Sequence, residues 1–210
     1  MNMGIADGVD LGWKIAANLQ GWGGPELLNS YELERRPVHD LVMNEAVVNH
    51  AVLGNQLWQE GLEDDNAQGN SLRQQIGRKI EQSKMREFTT LGVILGYRYE
   101  HSPVMLYDGN PYPENDFINY VPSSRAGCLA PHAWLHDGSS LYDHFGLGFT
   151  LLLSDEDPTG QAQRLMTMAQ ELHIPLKVIQ PTESAIGQLY PNRFTLIRPD
   201  QHVAWTADEI

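Results

Sequence analysis

Four prolines, Pro103, Pro111, Pro113 and Pro122, fall between residues 102 and 126, and Pro131 follows just beyond. Each fixes its own φ and lacks a backbone N–H, so neither an unbroken helix nor a central strand can run through this stretch. The chain is therefore divided there. Residues 1–101 read as mostly helical, 102–126 as an ordered connector and domain boundary, and 127–210 as a second unit with a different pattern. A length of 210 residues fits one large domain or two small ones.

The first half carries helical periodicity. Ile5, Val9, Gly12, Ala16 and Leu19 recur at helical spacing and predict an amphipathic helix over residues 3–20. Asp7 and Asp10 fall in its opening turns, where the helix dipole favours anions. Gly21, Gly23 and Gly24 stop it, and Pro25 suits the first turn of a second helix running to about Glu60. Pro37 is expected to kink or break that helix. Leu41, Val48, Val52 and Trp58 are expected to be buried along one side. A polar loop follows over residues 61–70, and Ser71 is expected to cap a third helix over residues 72–88. Arg73, Arg78, Lys79, Lys84 and Arg86 read as its solvated face. A short strand is expected around Tyr97–Glu100.

Beyond Gly127 strands alternate with helices. Strands are expected at Ala133–Leu135, Phe149–Leu153, Leu176–Ile179, Phe194–Ile197 and His202–Trp205. Helices are expected at Ser140–Phe145 and at Gly160–Leu172, the latter with Leu165, Met168, Ala169 and Leu172 inward. The last two strands flank the turn Arg198-Pro199-Asp200-Gln201 and read as a hairpin. A parallel βαβ unit followed by a hairpin is the layout of a thioredoxin-like fold. The fold class is thus α+β: a helical segment followed by a thioredoxin-like α/β domain.

Composition excludes several classes of function. The formal charge is −13, which opposes binding to nucleic-acid backbones or anionic lipids. No apolar run is long enough to span a bilayer, and the first ten residues lack the basic and apolar regions of a signal peptide. The single cysteine, Cys128, cannot form an internal disulfide or a C-x-x-C pair, which fits a reducing cytoplasm and excludes dithiol exchange. His132, His136 and His144, with Asp137 and Asp143, could suggest a metal site. On a strand, however, His132 and His136 would lie about 13 Å apart, so no metal is expected there. Asp137 and Asp143 read as loop and cap residues, and Cys128 as a half-buried thiol. Trp134, Tyr142, Phe145 and Phe149 read as core.

The opening MNMGIADGVDLGWKIAANLQG resembles a segment of the FAD-dependent aromatic-ring monooxygenases, the phenol and polyketide hydroxylase group. That family carries G-x-N-x-G-x-x-D-x-x-N-L-x-W-K-L, matched here at Asn2, Gly4, Asp7, Leu11, Trp13 and Lys14. The chain departs from it at Asp10, where the family usually has Asn, and at Gly12. The resemblance continues through Ser30-Tyr31-Glu32, Glu34-Arg35-Arg36-Pro37, Leu91-Gly92 and Leu95-Gly96-Tyr97-Arg98-Tyr99. It then takes in Gly127-Cys128, Ala130-Pro131-His132, Trp134-Leu135, Asp137-Gly138, Phe145-Gly146 and Arg193-Phe194. It closes on Ile197-Arg198-Pro199-Asp200 and Val203-Ala204-Trp205. Ala126 and Leu129 replace the proline and arginine of the family's P-G-x-R-A-P-H motif.

The resemblance implies an enzyme that hydroxylates phenolic or polyketide rings with FAD, NAD(P)H and O2. The family's G-x-G-x-x-G turn and Gly-Asp motif have no counterpart here, so the chain is expected to be a piece of such an enzyme, cut by a truncated gene, an internal start or proteolysis. Residues 1–101 then correspond to the end of the FAD domain. The resemblance places the backbone amides of Met1, Asn2 and Met3 at the anionic edge of the flavin, as cofactor-binding residues; it identifies no catalytic residue. The chain alone is expected to be inactive, and to form a homo-oligomer or pack against the rest of the FAD domain. The other reading is a thioredoxin-like structural or oligomerisation module that no longer binds FAD.

Overall fold

The computed structural model describes residues 2–51 and 57–210. Helix α1 spans Asn2–Leu19, α2 Glu26–Ala51, α3 Ala67–Phe88 and α4 Leu91–Leu95. After the connector come a 3-10 turn (Leu141–His144), β1 (Phe149–Leu153), α5 (Gln161–Glu171), β2 (Leu176–Ile179), α6 (Ser184–Leu189), β3 (Phe194–Ile197) and β4 (Val203–Ala207). Among the described residues no helix is long and apolar enough to cross a membrane.

The sheet order is β2-β1-β3-β4, with β1 parallel to β2 and antiparallel to β3, and β3 antiparallel to β4. This is the thioredoxin-like arrangement. The near-continuous apolar run of β1 is buried on both faces. Leu152 faces a core with Leu141, Ile186, Tyr190, Ile197 and Val203. Leu151 and Leu153 face the opposite core, with Ala162, Phe194 and Leu165 of α5.

Several expectations are corrected. The stripe of Ile5, Val9 and Leu19 on α1 points outward, with Leu19 84% exposed. The inward face is Asp10, Lys14 and Ala17, because α1 meets charged partners there rather than an apolar core. Pro37 lies inside a continuous α2. The buried positions of α2 include Leu27, Ser30, Glu34, Val38 and Glu45, with Glu34 meeting Lys14 of α1, and Val48 is left exposed, as is Trp58 beyond the helix. By Trp58 the chain is no longer helical, and Val52 lies outside the described residues. Helix α3 starts five residues before the expected point, because the Asn66 side chain accepts from Gly69 N and caps it in place of Ser71. Arg73 is not merely solvated. Its guanidinium donates to the Leu62 and Asp64 carbonyls and closes the preceding loop. The side chains of Lys84 and Arg86 lie outside the described set.

The expected strands at Tyr97–Glu100 and Ala133–Leu135 reduce to single bridges, Arg98 to Cys128 and Trp134 to Ser140. Trp134 is exposed rather than core, as are Met168 of α5 and Leu172 just past its end; the inward face of α5 is Ala162, Leu165 and Ala169. Helices α4 and α6 add to the expected elements: each is a single short stretch too brief to show a period in the sequence.

The connector is tied along its length. Tyr107 donates to the Tyr99 carbonyl at 2.7 Å, Arg125 bonds Asp108 at 2.8 Å, and Leu106 N donates to the Ala204 carbonyl at 3.0 Å. Val38 of α2 packs with Tyr99 and Met105, joining helices to connector. Trp13 stacks on Trp22, and both meet the edge of Phe149 at 6.1 Å, seating α1 against the first strand of the sheet.

Candidate functional site

The amino end of α1 offers the first site. A helix leaves its first backbone N–H groups without partners inside the helix, and they carry the positive end of the dipole. No acidic residue stands in the first turn of α1 to satisfy them. Asp7, the next acid along, is engaged by α2: Arg35 Nε lies 2.8 Å away and His39 Nε2 3.0 Å. Burial pushes Asp7 upward, but the bonds from His39 and Arg35 hold its carboxyl below the usual range. Its charge is thus directed sideways into α2 rather than along the helix toward its amino end. An added Cβ at Gly4, Gly8 or Gly12 would meet no atom within 4 Å, so this side of α1 lies open. On another side, Met3 and Ala6 line a cleft of about 400 Å³ with Arg35, Val42, Ile94 and Tyr97. Met1 lies outside the described residues, as does the Asn2 side chain; the Asn2 backbone begins the helix.

Behind this end lies a buried cluster of charges. Lys14 Nζ donates to Asp10 Oδ2 at 2.8 Å and to Glu34 Oε2 at 2.7 Å. Arg198, from the turn between β3 and β4, donates to Glu34 at 2.8 and 2.9 Å, to Asp10 at 2.9 Å, and to Asp200 at 2.5 and 3.0 Å. Ser102 of the connector donates to Glu34. Lys14 is 0% exposed, Glu34 and Asp10 1% and Arg198 2%, so these pairs are held away from solvent, where charge-assisted bonds are strong and an unpaired partner is costly. The Arg198 guanidinium also lies 5.0 Å from the Trp13 ring and 5.4 Å from that of Tyr99.

Burial pushes Asp10 up to about 7 against the pull of Lys14 and Arg198, so this carboxyl takes up a proton most readily. Burial acts on Glu34 and Asp200 too, but Arg198 overcomes it and holds both low. Carboxylate oxygens of Asp10, Glu34 and Asp200 lie within 4.8 Å of one another, a spacing that could suit a cation. Lys14 and Arg198 already supply the positive charge there.

The other sequence candidates fall elsewhere. His132 bonds Ser140 at 2.9 Å and His144 bonds Ser139 at 2.8 Å. Asp137 accepts from Ser139 in a turn, and Asp143 closes a capping box with Ser140. Cys128 is half-buried, and burial raises its thiol pKa. Sequence reasoning noted Lys14, Glu34, Arg198 and Asp200 only as matched motif positions and missed that they meet. The available signal was the polar stripe Asp10–Lys14 at a spacing of four, opposite the apolar stripe that drew the reading.

The comparisons fit this geometry. A family model described as FAD binding domain matches residues 1–46, and one described as aromatic-ring hydroxylase, C-terminal, matches residues 123–210. The FAD-dependent monooxygenase opdD of Penicillium oxalicum is 35% identical over 100% of this chain and 41% of its own length. Aklavinone 12-hydroxylase RdmE of Streptomyces purpurascens is 30% identical over 99% of this chain and 36% of its own. A solved structure of the rebeccamycin biosynthetic enzyme RebC with reduced flavin superposes with a TM-score of 0.90 at 38% identity, covering 100% of this chain and 39% of that one. The chain spans about two fifths of the length of the relatives it matches.

Proposed function

Because the chain belongs to the FAD-dependent aromatic-ring monooxygenases and corresponds to their C-terminal part, we propose that it completes the flavin site of an enzyme that hydroxylates phenolic or polyketide rings with FAD, NAD(P)H and O2. The observation that carries this reading is the amino end of α1: no acid in its first turn, and open space along Gly4 and Gly8. Such an end suits an anionic, electron-rich edge, and glycines let a flat group approach the backbone closely. The residues present therefore fit the group. The amides of Met1, Asn2 and Met3 would hold the flavin's anionic rim. Flavin supplies the redox chemistry when bound. The chain's own part is to orient that rim and stabilise its charge.

In this reading residues 1–101 end the FAD domain, 102–126 connect, and 127–210 form a domain that braces it. Exposed Ile5, Val9 and Leu19 support packing of α1 against further polypeptide, either the remaining FAD domain or a second copy. The single cysteine supports a cytoplasmic setting. To test the reading, the product of the whole gene is purified and assayed with phenolic and polyketide substrates. Flavin absorbance with substrate-stimulated NAD(P)H oxidation and a hydroxylated product is expected. A colourless protein that oxidises neither NADH nor NADPH would overturn it.

A further inference from the structure

We propose that Arg198 is a positioning residue for the amino end of α1, so that the thioredoxin-like domain sets the electrostatic field at the cofactor rim. The inference rests on the flavin reading above. Both oxygens of Asp10 are held, Oδ2 by Lys14 and Oδ1 by Arg198. Asp10 lies less than two helical turns from Gly4, so fixing its carboxylate fixes the rotation of α1 about its axis and the direction of the first-turn amides. Arg198 can do this because its planar fork reaches Asp10 on α1 and Glu34 on α2 at once, a geometry that a lysine ammonium cannot copy. The fork is itself aimed. Asp200, two residues on, accepts from Arg198 Nε at 3.0 Å, and the hairpin turn closes with Gln201 at φ 66°.

A second strut acts nearer the end. Arg35 ties Asp7 to α2 and reaches the Tyr99 hydroxyl at 3.3 Å. The Tyr99 ring lies 4.4 Å from that of His202, the residue that opens β4 from the same hairpin turn. Two carboxylates one turn apart on α1 are thus referred to one hairpin of the sheet. Among the described residues, no atom of that hairpin lies within 4 Å of a Cβ placed at Gly4, Gly8 or Gly12, so its effect on an anion bound there passes through α1.

The experiment uses the full-length holoenzyme with Arg198→Lys, and Leu151→Ala as a control. Leu151 is fully buried in the sheet core and takes no part in the charge cluster, so its truncation destabilises without touching α1. Three readouts are taken: FAD dissociation constant, flavin reduction potential, and hydrogen exchange at the amides of residues 2–10 after flavin removal. Arg198→Lys is expected to weaken FAD binding about tenfold, within the usual range for coupled sites, and to make the potential more negative. Exchange over residues 2–10 is expected to quicken. Leu151→Ala is expected to leave all three as in the wild type. If Arg198→Lys matches Leu151→Ala in every readout, Arg198 is only structural and the inference falls. If the wild-type protein binds no flavin, the flavin reading fails, while exchange still decides whether Arg198 positions α1.

Discussion

Arg198 and Glu34 meet through two hydrogen bonds of 2.8 and 2.9 Å, although 164 residues separate them in the chain. Both are buried, so neither charge has water to fall back on. Arg198→Met should leave Glu34, Asp10 and Asp200 facing one another with Lys14 as the remaining cation of the cluster. We expect a loss of about 3–5 kcal/mol in unfolding free energy, the usual cost of stranding a buried charge. Urea unfolding checks this; a midpoint unchanged from wild type would refute the cluster as a source of stability.

Asp10 gives the cluster a pH dependence of definite sign. Its folded pKa, about 7, lies above its ordinary value of 3.8, so the folded state binds more protons than the unfolded state between those limits. Its contribution therefore weakens the fold as pH rises from about 4 to 7. Glu34 and Asp200 are held low, and their stabilisation is lost only in more acidic solution. Asp10→Asn should flatten the stability profile between about pH 5 and 7.5 in urea titrations. A profile that keeps its wild-type slope would sink the assignment.

Gly127 sits where the connector meets the sheet. Its φ is +83°, and an added Cβ would lie 2.1 Å from the Tyr99 carbonyl oxygen. Its N–H donates to the Val203 carbonyl at 2.7 Å and its carbonyl accepts from Tyr99 N, so the backbone cannot easily move aside. Gly127→Ala should cost at least about 1–3 kcal/mol, read as a lower thermal midpoint.

Tyr190 is fully buried between α6 and β3, and its hydroxyl donates to the Pro131 carbonyl at 2.5 Å. Tyr190→Phe keeps the ring but leaves that acceptor unpaired. A loss of about 1–2 kcal/mol is expected in denaturant unfolding. No loss would mean that water replaces the hydroxyl.

The amide role of α1 can be tested without breaking the helix. Proline is tolerated in a helix's first turn yet has no N–H. Met3→Pro in the full-length enzyme should weaken FAD binding about tenfold, the scale of one hydrogen bond to a charged group. Retained helicity by circular dichroism with wild-type affinity would remove Met3 from the site.

The sheet was legible where the sequence carries short, nearly continuous apolar runs. Phe149–Leu153, Leu176–Ile179 and Phe194–Ile197 were read to the residue, since turn formers bound each run. Orientation was less legible. Ile5, Val9 and Leu19 form an apolar stripe, yet α1 turns its charged stripe inward because Glu34 and Arg198 await it there. Residue spacing within a helix reports that two faces differ, not which one meets the protein. The charge cluster was invisible for a related reason: Asp10 and Lys14 are local to each other, as are Arg198 and Asp200, but α1, α2 and the hairpin meet only in the fold.

The shared knot of charges has a consequence for how such proteins can be recombined. Residues 127–210, proposed above as a domain of their own, look like cargo that could be grafted onto another host. Moved alone, however, they would carry a guanidinium built to sit between two acids that stayed behind, and those acids would be left with Lys14 as the one cation of the cluster. Each half would be damaged by the divorce, so the halves are expected to be inherited, and engineered, as a matched pair.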